Sequence, residues 1–497
     1  MKKEFLGIPV WVLTLWAFCL AYHAVICNYS PMPWFDETYF ASMARNFLQT
    51  GDFFAPVCPL MDYYYPQSKA YGPGYFVLLA GVFKIFGFGI LQVRTPGLLL
   101  GFGFILIGYR LLKDSGCNAW LRNIFFLTLL FDPIFLQNIH SGRMDSLALF
   151  LSGLGSLFVL RGTRNSGISR FITAGLFLGL AILCTPRVAV NIAGACFVAG
   201  LFFLSQADWK NWWKIFLLPV VIGLLYSIWI FWGFGGYLEA WNYFFGQPRE
   251  KLYYDNLAQG YISFRKYIPP FQFPALSLLL VLIISWLIYR RKMSWLFWIC
   301  FFNLFAYFVL VRDTGIYSIF SIPWVYLILA ELGNHYLSAR ASRFWIQTSY
   351  YLILLLNLGV FGIKQTVVFL SAPSRDNEKV FQEFSTLIPK GSRVIGDDAF
   401  FYTAIRNNCD FQYIDRGAAG FQRLDYHLNE YDYEYIVVRN PVSNPAEFGN
   451  YQKAVPLKKV GEIHGPGPSP AIIFFETQLK KFGFTIPSGY RGVVYKR

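Results

Sequence analysis

Residues 28–73 read NYSPMPWFDETYFASMARNFLQTGDFFAPVCPLMDYYYPQSKAYGP. The stretch is polar and aromatic, and adjacent carboxylates, Asp36 and Glu37, stand between Phe35 and Tyr39. The chain around it is apolar. MKKEFLGIPVWVLTLWAFCLAYHAVIC (1–27) leads into it and PGYFVLLAGVFKIFG (73–87) leads out. An acid-bearing loop at the mouth of an apolar bundle is where surface chemistry on a membrane would sit.

The composition supports the bundle. Of 497 residues 56% are hydrophobic, 20% aromatic and only 14% charged. A soluble chain would carry about 25% charged residues. Mean hydropathy is +0.42. The net charge of +15 would point to nucleic acid in a soluble chain, but Lys and Arg also collect in the cytoplasmic loops of membrane proteins. We therefore expect no nucleic-acid partner. The eight cysteines are scattered without a C-x-x-C pair, so neither a zinc site nor a disulfide framework is indicated. Residues 1–27 are too long in their apolar run for a signal peptide and lack a small-x-small cleavage site, so they read as a retained first helix near 7–27.

Working outward, residues 36–49 predict a surface helix, with Asp36 as N-cap and Tyr39, Phe40, Met43 and Phe47 at helical spacing. Residues 73–87 are short for a span and predict an interfacial helix. Further spans are expected near 91–112, 119–139, 144–161, 168–185, 187–205, 214–234, 270–289, 294–311, 316–337 and 344–370. With the first helix this makes about eleven. Basic residues gather on alternate loops. Arg110, Lys113 and Arg122 share one, and Arg161, Arg164 and Arg170 another. Lys210 and Lys214, then Arg290, Arg291 and Lys292, then Arg340 and Arg343 follow in the same register. All fall on the side of Lys2 and Lys3, which is cytoplasmic by the positive-inside rule. Asp36, Asp145, Arg187, Arg265 and Arg312 fall on the other side, and an odd span count puts the C-terminus there too. After Ser371 no spanning run remains. Short β-branched runs (SRVIGDD, FQYID, EYIVV) alternate with AFFYTAIRN. This predicts a small extracytoplasmic α/β domain over 371–497.

Several residues could carry chemistry. A carboxylate at a helix start beside a membrane can serve as general base on a hydroxyl. It can equally cap the helix, with Glu37 helping in the first turn. His140-Ser141-Gly142-Arg143-Met144-Asp145 forms a short outer loop. Asp145 suits an N-cap, and Arg143 with Asp145 suits phosphate and sugar hydroxyls. Lys69, Arg187, Arg249, Arg265 and Arg312 are outer-face cations. Singly each reads as an interfacial anchor or local ion pair, Arg312 with Asp313 for instance. As a set they favour an anionic ligand. Trp34, Phe35, Tyr63, Tyr64, Tyr65 and Tyr71 crowd the first loop, as an aromatic belt or a sugar-holding surface. No P-loop, G-x-S-x-G or dinucleotide fingerprint occurs, so no nucleotide cofactor is expected.

Six stretches in this order carry a resemblance: FDETYFASMARNFLQTG (35–51), YGPGYFVLLAGVFKIFG (71–87), QVRTPGLLLGFGFILIGYRLL (92–112), HSGRMDSLALFLSGLGSLFVL (140–160), GLFLGLAILCTPRVAV (175–190) and TGIYSIFSIPWVYLILA (314–330). The chain resembles the GT-C glycosyltransferases that use polyprenyl-phosphate sugars, in the aminoarabinose-transferase and protein O-mannosyltransferase-like group. The resemblance implies a mainly α, polytopic bundle over 1–370, with 28–89 as the catalytic loop, and the α/β domain over 371–497. It implies a multi-pass protein of the plasma (inner) membrane that moves a sugar from the lipid donor to a lipid, glycan or protein hydroxyl by inverting single displacement. Asp36 maps onto the family's base, beside Glu37, and the Arg-x-Asp element maps onto Arg143 and Asp145. The family's later loop helix often begins Lys-Pro-Pro. Tyr71-Gly72-Pro73 stands there, and Lys69 is the nearest substitute. Arg143, Arg187, Arg265 and Arg312 with Lys69 would bind the donor phosphate, and Tyr39 and Tyr71 would shape the substrate. Some members hold a divalent metal ion, which the resemblance therefore allows. A flippase of lipid-linked sugars, predicting paired broken helices near mid-membrane, and a non-catalytic relative stay open as alternatives.

Overall fold

The structure, a computed structural model, describes residues 4–5, 7–59, 71–165, 167–205, 213–245, 272–289, 292–310, 316–337, 340–414, 427–439, 445–464, 470–481 and 490–497. They form two compact units.

The first unit comprises Met1–Tyr22, Gly97–Ile139 and Met144–Gly362, and its described residues are helical and loop, apart from the ribbon of β1 (Glu4–Phe5) and β2 (Ile8–Pro9). Among the described residues five helices are long and apolar enough to cross a bilayer: Ile90–Ser115, Asp145–Arg164, Pro186–Ser205, Phe216–Phe234 and Arg343–Ser371. Shorter apolar helices lie at Val10–Ile26, Gly74–Phe86, Ile168–Ile182, Pro274–Leu287 and Trp295–Tyr307. Small residues let neighbours approach, as in other membrane bundles. A Cβ on Gly175 would stand 2.9 Å from Val221, and one on Gly194 only 2.5 Å from the Ile299 carbonyl oxygen.

The expected span 119–139 is bent. Ala119–Leu130 and Pro133–Ile139 meet at 59°. Pro133 has no N–H to continue the first segment. The Asp132 carboxylate starts the second, accepting from the N–H groups of Ile134 (2.9 Å) and Phe135 (2.7 Å). Tyr326 Oη donates to the other carboxylate oxygen at 2.7 Å, and Asn357 Nδ2 donates to Tyr326 Oη at 3.0 Å. Elsewhere in this unit Arg110 and Arg161 share Asp114, each at 2.9 Å.

The second unit gathers three separate stretches, His23–Pro96, His140–Arg143 and Ile363–Arg497. The helix Phe35–Thr50 lies within it, and Glu37 to Ala44 are all buried. The expected surface helix is thus largely covered. After residue 371 comes a five-stranded sheet in the order β4-β3-β5-β7-β6. Its strands are β3 (Arg393–Gly396), β4 (Asp410–Tyr413), β5 (Tyr435–Arg439), β6 (Lys458–Ile463) and β7 (Gly492–Lys496). β4, β3 and β5 run parallel, while β7 is antiparallel to both β5 and β6. Val394, Ile395, Ile436, Val437, Val438 and Val494 supply the branched side chains that favour strands, and all are buried. Ile395, Ile436 and Val438 close a core with Tyr431, Tyr433, Phe448 and Tyr451. Polar ties join the unit's stretches. Arg375 Nη1 donates to the Tyr29 carbonyl and Asn377 Nδ2 to the Asn28 carbonyl, both at 3.1 Å.

Candidate active site

The site is built on three consecutive residues in the first turn of the helix Phe35–Thr50. The N-cap is Trp34, whose side chain makes no capping bond, so Asp36 does not hold the N-cap role expected for it. It lies one residue inside the helix with its carboxylate free of capping duty. Its side chain is 28% exposed and Arg143 Nη1 donates to its Oδ2. The Arg143 side chain is 1% exposed. Its guanidinium lies over the Trp34 ring at 5.5 Å and the Phe40 ring at 5.9 Å, a placement that suits a planar cation. Gly142, at φ +62, turns the chain into this position. Its carbonyl accepts from Tyr75 Oη at 2.6 Å, and a Cβ there would meet Val93 at 2.7 Å and Glu37 at 2.9 Å.

Glu37 points inward and is fully buried. Arg94 holds it with two parallel bonds, Nε to Oε2 at 3.0 Å and Nη2 to Oε1 at 3.1 Å. Arg94 Nη1 also donates to the Cys27 carbonyl at 2.7 Å. Tyr402 Oη adds a third donor to Glu37 at 3.1 Å. Burial pushes the Glu37 carboxyl up to about 7, against Arg94 and the Tyr402 hydroxyl, which favour the charged form. Burial, helped by the Glu37 charge, holds the Tyr402 phenol well above its ordinary 10.0, so it stays a donor. Thr38 Oγ1 lies 3.0 Å from the Trp34 carbonyl and 2.6 Å from Tyr413 Oη. With the threonine donating to the carbonyl, the tyrosine donates to the threonine.

No protein-family model matches this sequence, and no curated protein matches it. Solved structures do match. ArnT from Cupriavidus metallidurans, bound to undecaprenyl phosphate, superposes with a TM-score of 0.60 at 14% identity, over 98% of this chain and 97% of that one. The apo form gives the same figures. The arabinofuranosyltransferase AftD from Mycobacteria gives a TM-score of 0.54 at 15% identity, over 97% of this chain and 40% of AftD. The chain has a GT-C glycosyltransferase fold.

Within this GT-C fold the expected site residues fare differently. Asp36 and Arg143 are brought together, and Glu37 lies beside them on a separate buried pair. Tyr39 is 1% exposed and stacks on Phe35 at 5.6 Å, and Tyr71 is 8% exposed, edge-on to Phe40 at 5.3 Å. Both back the helix. Asp145 is the first residue of the helix Asp145–Asn165 and is buried. Arg187 lies in the turn Pro186–Val188 with its guanidinium 4.1 Å from the Tyr317 ring centroid. Lys69, Arg249, Arg265, Arg312 and the triplet Tyr63, Tyr64 and Tyr65 lie outside the described residues. Among the described residues no group of three or more His, Cys, Asp or Glu side chains could hold a metal ion. The divalent ion the resemblance allows finds no donor set there. Arg94, Tyr402 and Tyr413 escaped the sequence reading. Arg94 had a signal, an isolated cation at the start of an apolar run. The tyrosines had none, since each meets its partner across more than 360 residues.

Proposed function

We propose that this protein transfers a sugar from a polyprenyl-phosphate donor to an acceptor hydroxyl on the extracytoplasmic membrane face. Asp36 is the general base. The observation that carries the reading is the Asp36–Arg143 pair: a partly exposed carboxylate, released from capping, against a fixed, buried guanidinium. The acceptor oxygen attacks the anomeric carbon as the bond from that carbon to the phosphate oxygen breaks. Asp36 takes the hydroxyl proton, and the polyprenyl phosphate leaves with the electron pair. A single displacement inverts the anomeric centre. Arg143 meets the charge on the leaving phosphate, a role its planar fork suits. We assign Arg187, Lys69, Arg265 and Arg312 to the same anion, and Asp145 to the sugar. Likeness to a fold solved with undecaprenyl phosphate supports the donor class. The acceptor is a lipid, glycan or protein. In this reading about eleven spans occupy residues 1–370 with the N-terminus cytoplasmic, and residues 371–497 lie outside.

A flippase of lipid-linked sugars draws support from the bent pair at Asp132. Such carriers use paired breaks, and among the described residues there is one bent pair. The Asp132 carboxylate is also occupied by two backbone N–H groups and Tyr326, as an N-cap would be. The transferase reading is therefore preferred.

The test is Asp36→Asn in membranes supplied with radiolabelled undecaprenyl-phosphate hexoses and pentoses. Loss of transfer with undecaprenyl phosphate binding retained is expected. Transfer at the wild-type rate by the folded variant rules out the base. Orientation is checked by cysteine labelling from outside, which should reach an engineered Ser385→Cys but not Lys292→Cys.

A further inference from the structure

We propose that Tyr402 and Tyr413, both from the C-terminal sheet region, are positioning residues that lock the first turn of the helix Phe35–Thr50 and thereby aim Asp36. The inference rests on the reading of Asp36 as the base.

A helix start normally relies on a side-chain cap to satisfy its free N–H groups and stop fraying. Trp34 provides none. The residues flanking the base on its inner side are held from elsewhere instead. Glu37 is gripped by Arg94 and Tyr402, and Thr38 by Tyr413. Successive residues of a helix are about 100° apart around its axis. Fixing positions 37 and 38 therefore sets the direction in which position 36 points. Misplacing a catalytic group by about 1 Å can cost 10²-fold in rate.

Both tyrosines are themselves well anchored. Tyr413 ends strand β4. Its N–H donates to the Val57 carbonyl at 3.0 Å and its ring packs on Phe35 at 5.1 Å. Tyr402 lies on the helix Phe401–Arg406, with its ring 5.8 Å from Phe88. Arg45 lies over Phe88 at 5.6 Å. The charged and titratable groups facing Glu37 among the described residues are Arg94, Tyr402, Tyr490 and Cys27. Of these, Tyr402 is the tyrosine whose hydroxyl donates to Glu37, and that hydroxyl can be deleted while its ring packing is kept.

The experiment uses the full-length protein in lipid nanodiscs with the same undecaprenyl-phosphate sugar panel. Tyr402→Phe and Tyr413→Phe should each lower kcat by about 10- to 100-fold. KM for the donor and affinity for undecaprenyl phosphate should stay within twofold of wild type. Tyr402→Phe should also move the fall in thermal stability with pH upward by about half a unit to one unit, because a donor to the Glu37 carboxylate is gone. Tyr413→Phe should not move it. Thr38→Val breaks the second tie from the other side, so the double variant with Tyr413→Phe should be no slower than either single. Amide exchange over residues 35–44 should speed up in all three. Folded tyrosine variants with wild-type kcat, pH profile and exchange would overturn the inference. A lowered Tm with unchanged kcat would overturn it too, reducing both residues to packing. Asp36→Asn run in parallel separates the two ideas. Wild-type transfer by that variant defeats the base reading. An inert Asp36→Asn beside fully active tyrosine variants defeats only the positioning inference.

Discussion

Replacing Arg94 with Leu should be among the most damaging single changes to this protein. The side chain is fully buried and makes three hydrogen bonds, two to Glu37 and one to the Cys27 carbonyl. A bond to a charged group contributes about 1.5 kcal/mol or more. Three give a loss of at least about 4 kcal/mol, within the ~3–5 kcal/mol seen when one partner of a buried ion pair is removed. Most of that loss comes from leaving the buried Glu37 carboxyl without its counter-charge and its two guanidinium donors. Removing both charges should therefore recover much of it, since apolar replacements of whole buried pairs are often neutral. The measurement is thermal unfolding of purified protein in detergent. Arg94→Leu should lower Tm by about 5–10 °C, and Arg94→Leu with Glu37→Leu should fall by less than half as much. A single variant within 1 °C of wild type, or a double variant as unstable as the sum of the singles, would refute the reasoning.

Three further outcomes follow from the site. Glu37 has its folded-state value raised from 4.5 to about 7. Its contribution to stability is therefore fully present below pH 4.5 and lost as pH rises through about 7. Unfolding followed from pH 5 to 8 should show a decline that Glu37→Gln flattens. Gly142→Ala puts a side chain at φ +62 against Val93 and Glu37. It should cost about 1–3 kcal/mol and, by displacing Arg143, lower transfer more than Tm alone would indicate. Arg143→Ala removes the cation assigned to the leaving phosphate. It should weaken undecaprenyl phosphate binding about tenfold or more, measured by titration calorimetry, as expected for the loss of a charge-assisted contact.

Much of this architecture was legible because local pattern and local physics agree. The strands at Arg393–Gly396, Asp410–Tyr413 and Tyr435–Arg439 lie where runs of branched and aromatic residues stood between turn signals. The helix Phe35–Thr50 begins and ends within one residue of the expected 36–49. The later strands β6 and β7 are not legible in the same way, since KKVGEI is rich in charge and GVVYK opens on glycine and ends on lysine. The bend at Asp132 was missed because hydropathy averages over a break that one aspartate and one proline create. At the site the sequence led to Asp36, but not to its freedom from capping. That depends on whether the helix starts at Phe35 or Glu37, a difference of two residues. Arg143 was legible as a candidate phosphate ligand and not as the partner of Asp36. The ties of Glu37 and Thr38 to Tyr402 and Tyr413 are long-range contacts that no local pattern encodes.

The second unit is assembled from the beginning, the middle and the end of the chain. This has a consequence for biosynthesis. Glu37 waits for a hydroxyl 365 residues later in the sequence, and Thr38 for one 375 residues later. At about 5–20 residues per second, a ribosome needs about 20–70 s to make the intervening stretch. During that time the helix Phe35–Thr50 lacks two of its clamps. A nascent or prematurely terminated chain thus carries Asp36 without Tyr402 and Tyr413. On the proposed reading, such fragments would be inserted in the bilayer yet silent toward lipid-linked sugars.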